Sequence, residues 1–323
     1  MSIDLLVELA SDKYYWWPPR LVRILWSLAT NIGTQRAIFR LLSQPAFKRV
    51  VAEDPRFLFK YLTRNYLVRG LSVADRATCF MHHYSTLIER FPEENRRQIL
   101  HDNVSLIKIA EGETNVSILM GLSKTEVREG ELRLSLHVNG SIVYVLQFTI
   151  VPGKVLGCSA KSVLLVSRLQ GVKGCYQKVK LATKTCNDVS PPALLFTALQ
   201  GIAEGNQIDK IAGVSARDQF SYHEDFSKIF AEAYDGFFEE HGGIRTESNL
   251  YFIELPLQEK PLEQVPEGHK LRTKKKRAFK AKIREIVRSE LRNMIDARSP
   301  VEIGMTSQSS PISLQGKTNL EKV

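Results

Sequence analysis

Between Arg168 and Gly174 the chain reads Arg-Leu-Gln-Gly-Val-Lys-Gly, two glycines and two cations within seven residues. An apolar run, Val163 to Leu169, leads into it, and a helical pattern over Tyr176 to Thr185 follows. Glycines between a strand and a helix let backbone N–H groups approach a phosphate, and a lysine adds charge. Arg168, Gln170, Gly171, Lys173 and Gly174 are therefore candidates for holding an acyl-CoA or another phosphate-bearing donor. A plain glycine turn is the other reading of the same residues.

A second group lies further along. Gly213-Val214-Ser215-Ala216-Arg217 is not a nucleophile elbow, because Arg217 stands where the last glycine is needed. Ser215 reads first as a strand end, but with Arg217 and Tyr222 it sits where open sheets place their ligands. Asp235 and Glu239 are four residues apart on a helical stretch, so one of the two carboxyls could carry a raised pKa. A solvated acidic face docking on basic residues is the alternative. His82 and His83 are adjacent on a helix, and so point about 100° apart, too far to share a metal easily. One is expected to pack and the other to be exposed. Cys79, Cys158, Cys175 and Cys186 form no closely spaced pair. Reduced buried thiols are expected, and no metal site.

The chain carries a net charge of +10 over 323 residues. Twelve Lys or Arg lie between Lys270 and Arg298 against Glu285, Glu290 and Asp296, which places nine of the ten charges in one element. Phe279, Ile283, Ile286, Val287, Leu291, Met294 and Ile295 form one apolar side of that helix. Arg277, Lys280, Arg284, Arg288 and Arg292 form a stripe along its flank. Burial against the domain with a basic rim is one reading. An anionic membrane surface is the next, since long basic side chains snorkel beside an apolar face. Nucleic-acid binding comes third, because few exposed aromatics accompany the charge.

These candidates must be positioned by an α/β arrangement. Residues 1–110 read mainly as a helical region, from three- and four-residue apolar steps through Leu21, Leu25, Leu28 and through Phe57, Tyr61, Leu62. Pro45, Pro55 and Pro92 divide it into short helices. Residues 111–258 read as a mixed α/β domain. Leu132 to Val138 and Ser141 to Val151 alternate around Asn139-Gly140, a strong hairpin signal because both turn positions need positive φ. Ile142, Tyr144, Leu146, Phe148 and Ile150 are expected on one face of the second strand. Helices over Tyr176–Thr185 and Pro191–Glu204, a strand over Lys210–Ser215, a helix over Glu224–Glu240 and a strand over Leu250–Leu255 complete the domain. Phe226, Ile229, Phe230, Ala233 and Phe237 would form the buried face of the Glu224–Glu240 helix. Residues 259–298 hold a linker and the basic helix, and 299–323 a Ser/Gln/Lys-rich tail expected to be disordered. The fold class is thus α/β with α+β character, a mixed sheet with packed helices behind a helical N-terminal region.

The segment Tyr14-Tyr15-Trp16-Trp17-Pro18-Pro19-Arg20 and the run Leu21 to Ala29 are the most lipid-friendly part of the chain. Arg20, Arg23 and the double proline interrupt it well short of the roughly 20 apolar residues a span requires. Asp4 and Glu8 precede any basic residue, the wrong charge for a secretory leader. A cytoplasmic protein, peripheral at most to the inner membrane, is expected.

The strand order resembles that of GNAT-type acyltransferases, in which the acyl-CoA pyrophosphate sits in a loop after the fourth strand. Their loop is Gln/Arg-x-x-Gly-x-Gly/Ala; Arg168-x-x-Gly171 fits it, and Gly174 comes one position late. The chain as a whole resembles the VirK/YbjX family, a bacterial domain of unknown function. The matching pieces are His83-Tyr84 with Leu87, Glu129-Gly130-Glu131-Leu132, Leu169-Gln170-Gly171, Ala182-Thr183-Lys184 and Gly213-Val214-Ser215. Tyr234-Asp235 through Glu240 and Gly242-Gly243, Leu255-Pro256 and Lys276-Arg277 continue them, over about residues 60–295. Phe238 stands where the family tends to have a tryptophan. Ala216-Arg217-Asp218-Gln219 replaces a stretch that resemblance would give a histidine, for which His223 is a displaced candidate. The resemblance implies a link to cell-envelope or virulence functions, and an envelope-related partner. It carries no catalytic residue across.

Overall fold

The computed structural model describes residues 32–297 apart from Arg64 and Glu126. The expectations for Tyr14–Arg20, Leu21–Ala29 and the 299–323 tail lie outside the described residues.

The chain begins as short helices: α1 (Ile32–Leu42), α2 (Pro45–Glu53), a 3-10 stretch (Pro55–Leu62), α3 (Val73–Arg90) and α4 (Glu93–Arg97) running into a π turn. Their ends follow from local chemistry. Pro45 opens α2, where a missing N–H costs nothing. The Asp54 carboxylate accepts the Arg56 N–H at 3.1 Å and caps the 3-10 stretch. Ser72 caps α3 by accepting the Asp75 N–H at 3.1 Å. Their inner faces meet in an aromatic cluster, with Phe80 and Tyr84 4.8 Å apart and Phe57 and Phe47 edge-on to Tyr84.

Eight strands then build one sheet: β1 (Val104–Glu111), β2 (Thr114–Leu122), β3 (Leu132–Val138), β4 (Ser141–Val151), β5 (Val163–Gly171), β6 (Lys210–Val214), β7 (Ile244–Arg245) and β8 (Leu250–Glu254). The spatial order is β1-β2-β3-β4-β5-β6-β8-β7. Neighbours are antiparallel except β5 and β6, which run parallel. That one parallel step requires a crossover, supplied by α5 (Tyr176–Thr185) and α6 (Pro191–Gly205). The Asn139-Gly140 turn has φ of 47° and 76°, as a two-residue hairpin requires.

Three expectations need correction. β1 lies almost wholly within the stretch read as helical; Val104, Ile107 and Ile109 are β-branched, and Gly112 at φ 57° turns the chain into β2. On β4, a bulge opposite Leu136/His137 breaks the alternation, so Val143 is buried while Ile142 stays 36% exposed. The Glu224–Glu240 helix is divided into α7 (Ser227–Phe230), a π turn (Ala231–Gly236) and α8 (Phe237–Glu240). The extra residue in the π turn rotates the buried face onto Tyr234, Phe237 and Phe238, leaving Phe226 55% and Ile229 63% exposed.

The last helix, α9 (Glu267–Asp296), lies along α6 and touches β1. Ile283, Val287, Leu291 and Met294 are its buried residues. Gly201 and Gly205 make the approach possible. A Cβ on Gly201 would stand 2.6 Å from the Arg284 carbonyl oxygen, and one on Gly205 2.8 Å from Leu291. Leu146–Val151 of β4 and Val163–Ser167 of β5 are continuously buried, so the sheet is covered on both faces at its centre.

Candidate functional site

The parallel pair sets the candidate site. Its pairing runs Leu164↔Ile211, Leu165↔Ala212, Val166↔Gly213 and stops there, while β5 continues to Gly171. A bulge opposite Gln147/Phe148 displaces β5 at the same level. The strands therefore part at their carboxyl ends, the position where open sheets leave a crevice.

The residues expected to hold a donor flank this point. Arg168 is half-buried and donates to Gln170 Oε1 from two nitrogens, at 2.9 and 2.6 Å, and to Glu129 Oε2 at 3.2 Å. The guanidinium is thus anchored by its own neighbours. Gly171 packs under the Tyr144 ring, where a Cβ would stand 3.1 Å away, and Val172 N–H donates to the Val143 carbonyl at 3.0 Å. Gly174 needs its lack of a side chain, with φ at 82°. Lys173 is exposed, and no side chain caps the start of α5. The loop therefore presents uncapped helix N–H groups beside an exposed lysine.

The other candidates divide. Ser215 is wholly buried, and its hydroxyl has no protein partner. Asp235 accepts the Ala216 N–H at 2.8 Å, fixing the turn that follows β6. Glu239 accepts from the Tyr251 hydroxyl at 3.1 Å. The π turn ended their shared helical face, and each carboxylate now holds a different element. Tyr222 is half-buried with its ring edge-on to Phe230 at 5.6 Å, and His223 is exposed beside Asp225 at 3.1 Å. Tyr234, marked in the sequence only as part of the family resemblance, accepts the Leu169 N–H at 3.4 Å near the end of β5. Burial pushes its hydroxyl up to about 12. Phe238 lies against Gly213, where a Cβ would come within 2.5 Å of the ring.

A polar knot lies among the N-terminal helices and the start of β3. Lys60 Nζ and Glu131 Oε1 are 2.9 Å apart with side chains 1% and 0% exposed. Lys60 also donates to the Gly130 carbonyl at 3.2 Å, and the Tyr84 hydroxyl donates to Glu131 Oε2. The Glu131 N–H donates to Thr149 Oγ1 at 3.0 Å. Burial alone would raise the Glu131 pKa, but Lys60, then His83 and the Tyr84 hydroxyl, outweigh it and hold the carboxyl below its usual range. His83 Nδ1 accepts the Ile150 N–H at 3.1 Å, so the ring proton is on Nε2, which has no partner. Burial drives its pKa down to about 3, and the ring is neutral. Beside it, His82 is half-buried, 2.9 Å from Ser162 Oγ, rather than exposed.

Cys79 and Cys186 are buried, with thiols pushed up to about 12 by burial. Cys158 and Cys175 are only half-buried, which corrects the expectation of four buried thiols. Among the described residues no group of three His, Cys, Asp or Glu is placed to hold a metal ion.

The basic stripe is largely engaged. Arg277 pairs with Glu259 at 2.9 Å, with Lys280 4.0 Å from the same carboxylate. Arg284 pairs with Glu204 at 3.3 Å and Arg288 with Glu285 at 2.5 Å, while Arg292 is exposed. Among the described residues no helix is long and apolar enough to cross a membrane.

The fold and site together define a mixed α/β protein whose one parallel pair of strands parts at its carboxyl ends, with a buried ionic knot between the N-terminal helices and β3. Residues 14–285 match a family model described as a protein of unknown function (DUF535), and the chain belongs to this family, the uncharacterised bacterial VirK/YbjX family. No curated protein and no solved structure matches the chain.

Proposed function

We propose that the chain transfers an acyl or aminoacyl group from a phosphate-bearing donor held at the Arg168–Gly174 loop. The observation that carries this reading is the β5–β6 parting. Pairing stops at Val166↔Gly213 while β5 runs on to Gly171 and into the α5 N-terminus. The GNAT resemblance of the strand order supports it, and the envelope setting rests on the family resemblance. Lys173 and the first N–H groups of α5 would meet the donor phosphates. The acyl carbonyl would lie toward Ser215, beside the end of β6.

Thermal melting of the purified chain with coenzyme A, acyl-CoA thioesters and nucleotides is the test. A ligand at a hundred times its Kd stabilises by about 2.7 kcal/mol, a readily measured shift. Lys173→Glu is expected to abolish it. The reading fails if no donor moves the melting temperature.

A second reading, an adaptor at an anionic membrane surface, is favoured by one patch of α9. Lys274, Lys275 and Lys282 are exposed, and Leu271 beside them is 68% exposed. Flotation with anionic liposomes is expected to fail for Lys274→Glu/Lys275→Glu/Lys282→Glu. Equal flotation of that variant would remove this reading.

A further inference from the structure

The β3–β4 hairpin and the connection from β5 into α5 make one corner of the fold, and apolar residues are exposed on it. Ile142 is 36% exposed, Val172 41% and Tyr176 67%. Short contacts hold these stretches together. The Val172 N–H donates to the Val143 carbonyl at 3.0 Å, and the Cys175 thiol lies 3.6 Å from the Ile142 carbonyl oxygen. Apolar residues exposed singly are ordinary on a protein surface, whereas several brought to one place mark an interaction face.

Lysines surround this corner. Lys173, Lys178, Lys180 and Lys184 are all exposed. Lys178 Nζ donates to Ser141 Oγ at 2.6 Å, tying α5 to the hairpin, and Lys180 Nζ stands 4.6 Å from the centroid of the Tyr176 ring. Tyr176, Lys180 and Lys184 follow at four-residue steps along one side of α5. The chain has no carboxylate between Glu131 and Asp188. Asp188 pairs with Arg272 at 3.0 Å, and Glu111 and Glu113 at the β1–β2 turn pair with none of the four lysines. The described residues thus give these ammonium groups no ionic partner.

The residue types decide what such a face suits. A nucleic acid is gripped best by arginine forks and by aromatic rings that stack on bases. Here every cation is a lysine, and two of the three exposed apolar residues are aliphatic. Lysine stems lie along apolar surface while their heads stay wet, and a tyrosine has an apolar ring with a polar tip. That combination matches the boundary between lipid headgroups and acyl chains.

We infer that this corner is a membrane-docking face. Ile142, Val172 and Tyr176 enter the headgroup boundary of an anionic bilayer, and the four lysines meet the lipid phosphates. The face is separate from the α9 patch and does not rest on acyl transfer. Lys173 belongs to the donor loop as well, so the test leaves it in place.

Flotation of the full chain with vesicles of phosphatidylglycerol and phosphatidylcholine, against phosphatidylcholine alone, tests the inference. Binding to the anionic vesicles only is expected. It should fall about tenfold or more in Lys180→Glu/Lys184→Glu, because each lysine near such a surface contributes about fivefold. Ile142→Ser/Tyr176→Ser keeps all four lysines and should also weaken binding, which a purely electrostatic contact would not show. Equal flotation on both kinds of vesicle, or by wild type and either double variant, overturns the inference. So does binding of a single-stranded oligonucleotide by a chain that does not float, which would make the face a nucleic-acid site. The neighbouring readings fail separately. Flotation lost in the α9 variant but kept in both of these removes the corner face, and the reverse pattern removes the α9 reading. A thermal shift with a soluble donor, in a chain that does not float, leaves the donor loop standing while this face falls.

Discussion

At the scale of single residues, the Lys60–Glu131 pair is the feature whose removal has the clearest sign. Both side chains are buried, so neither charge can fall back on water when its partner is lost. Glu131→Gln and Lys60→Met are each expected to cost about 3–5 kcal/mol in urea unfolding. The double variant should recover part of that loss, because no charge is left stranded. Additive losses would show that the two groups do not interact. His83 gives a pH signature. It stays neutral in the fold down to about pH 3, whereas in the unfolded chain it protonates near 6.5. The unfolded state thus binds more protons between those values, so stability present above 6.5 is lost as pH falls, by up to about 1.4 kcal/mol per pH unit. His83→Asn keeps an acceptor for the Ile150 N–H and should flatten this slope between pH 4 and 6; an unchanged slope would assign it elsewhere. The sequence marked His83, Tyr84 and Glu131 as landmarks of resemblance but gave no sign that they meet. Lys60 carried no signal, since lysine is among the residues least often buried, and its partner is 71 positions away.

At the scale of elements, α9 docks on α6 through the space left at Gly201 and Gly205. Gly201→Val would force its side chain into the Arg284 carbonyl and Val287, at an expected cost of about 1–3 kcal/mol. Limited proteolysis should then cut α9 ahead of the sheet. Resistance equal to the wild type would show that the helices have room to shift. The turn after β6 offers a second check. Asp235→Ala leaves the Ala216 N–H without its acceptor, expected to cost about 1–3 kcal/mol by chemical unfolding. β3 was legible because its apolar residues alternate in sequence and all four, Leu132, Leu134, Leu136 and Val138, are buried. β4 was half legible, since a bulge shifts its register where the sequence alternates without a break. The faces of the 227–240 segment were misread because a π turn inserts a residue that a period of 3.6 cannot anticipate.

For the whole molecule, the fold class was readable because the hairpin and the helix–strand alternation admit few arrangements. The charge was also readable, but its use was not. Which cations are engaged depends on Glu204, brought to α9 by its docking on α6, and on Glu259 in the linker ahead of the helix. A chain ending at residue 266 should expose the Gly201/Gly205 face of α6, bind a hydrophobic dye and self-associate on a sizing column. A monodisperse, dye-silent truncation would mean that α9 is an accessory. The docking has a further consequence in time. α6 is complete at Gly205, but its cover at Met294 is synthesised 89 residues later. At roughly 5–20 residues per second, an apolar helix waits about 4 to 18 seconds for its partner. During that interval the nascent chain is at its most adhesive, so the speed of translation through residues 206–294 sets how long each molecule is open to aggregation or to a chaperone.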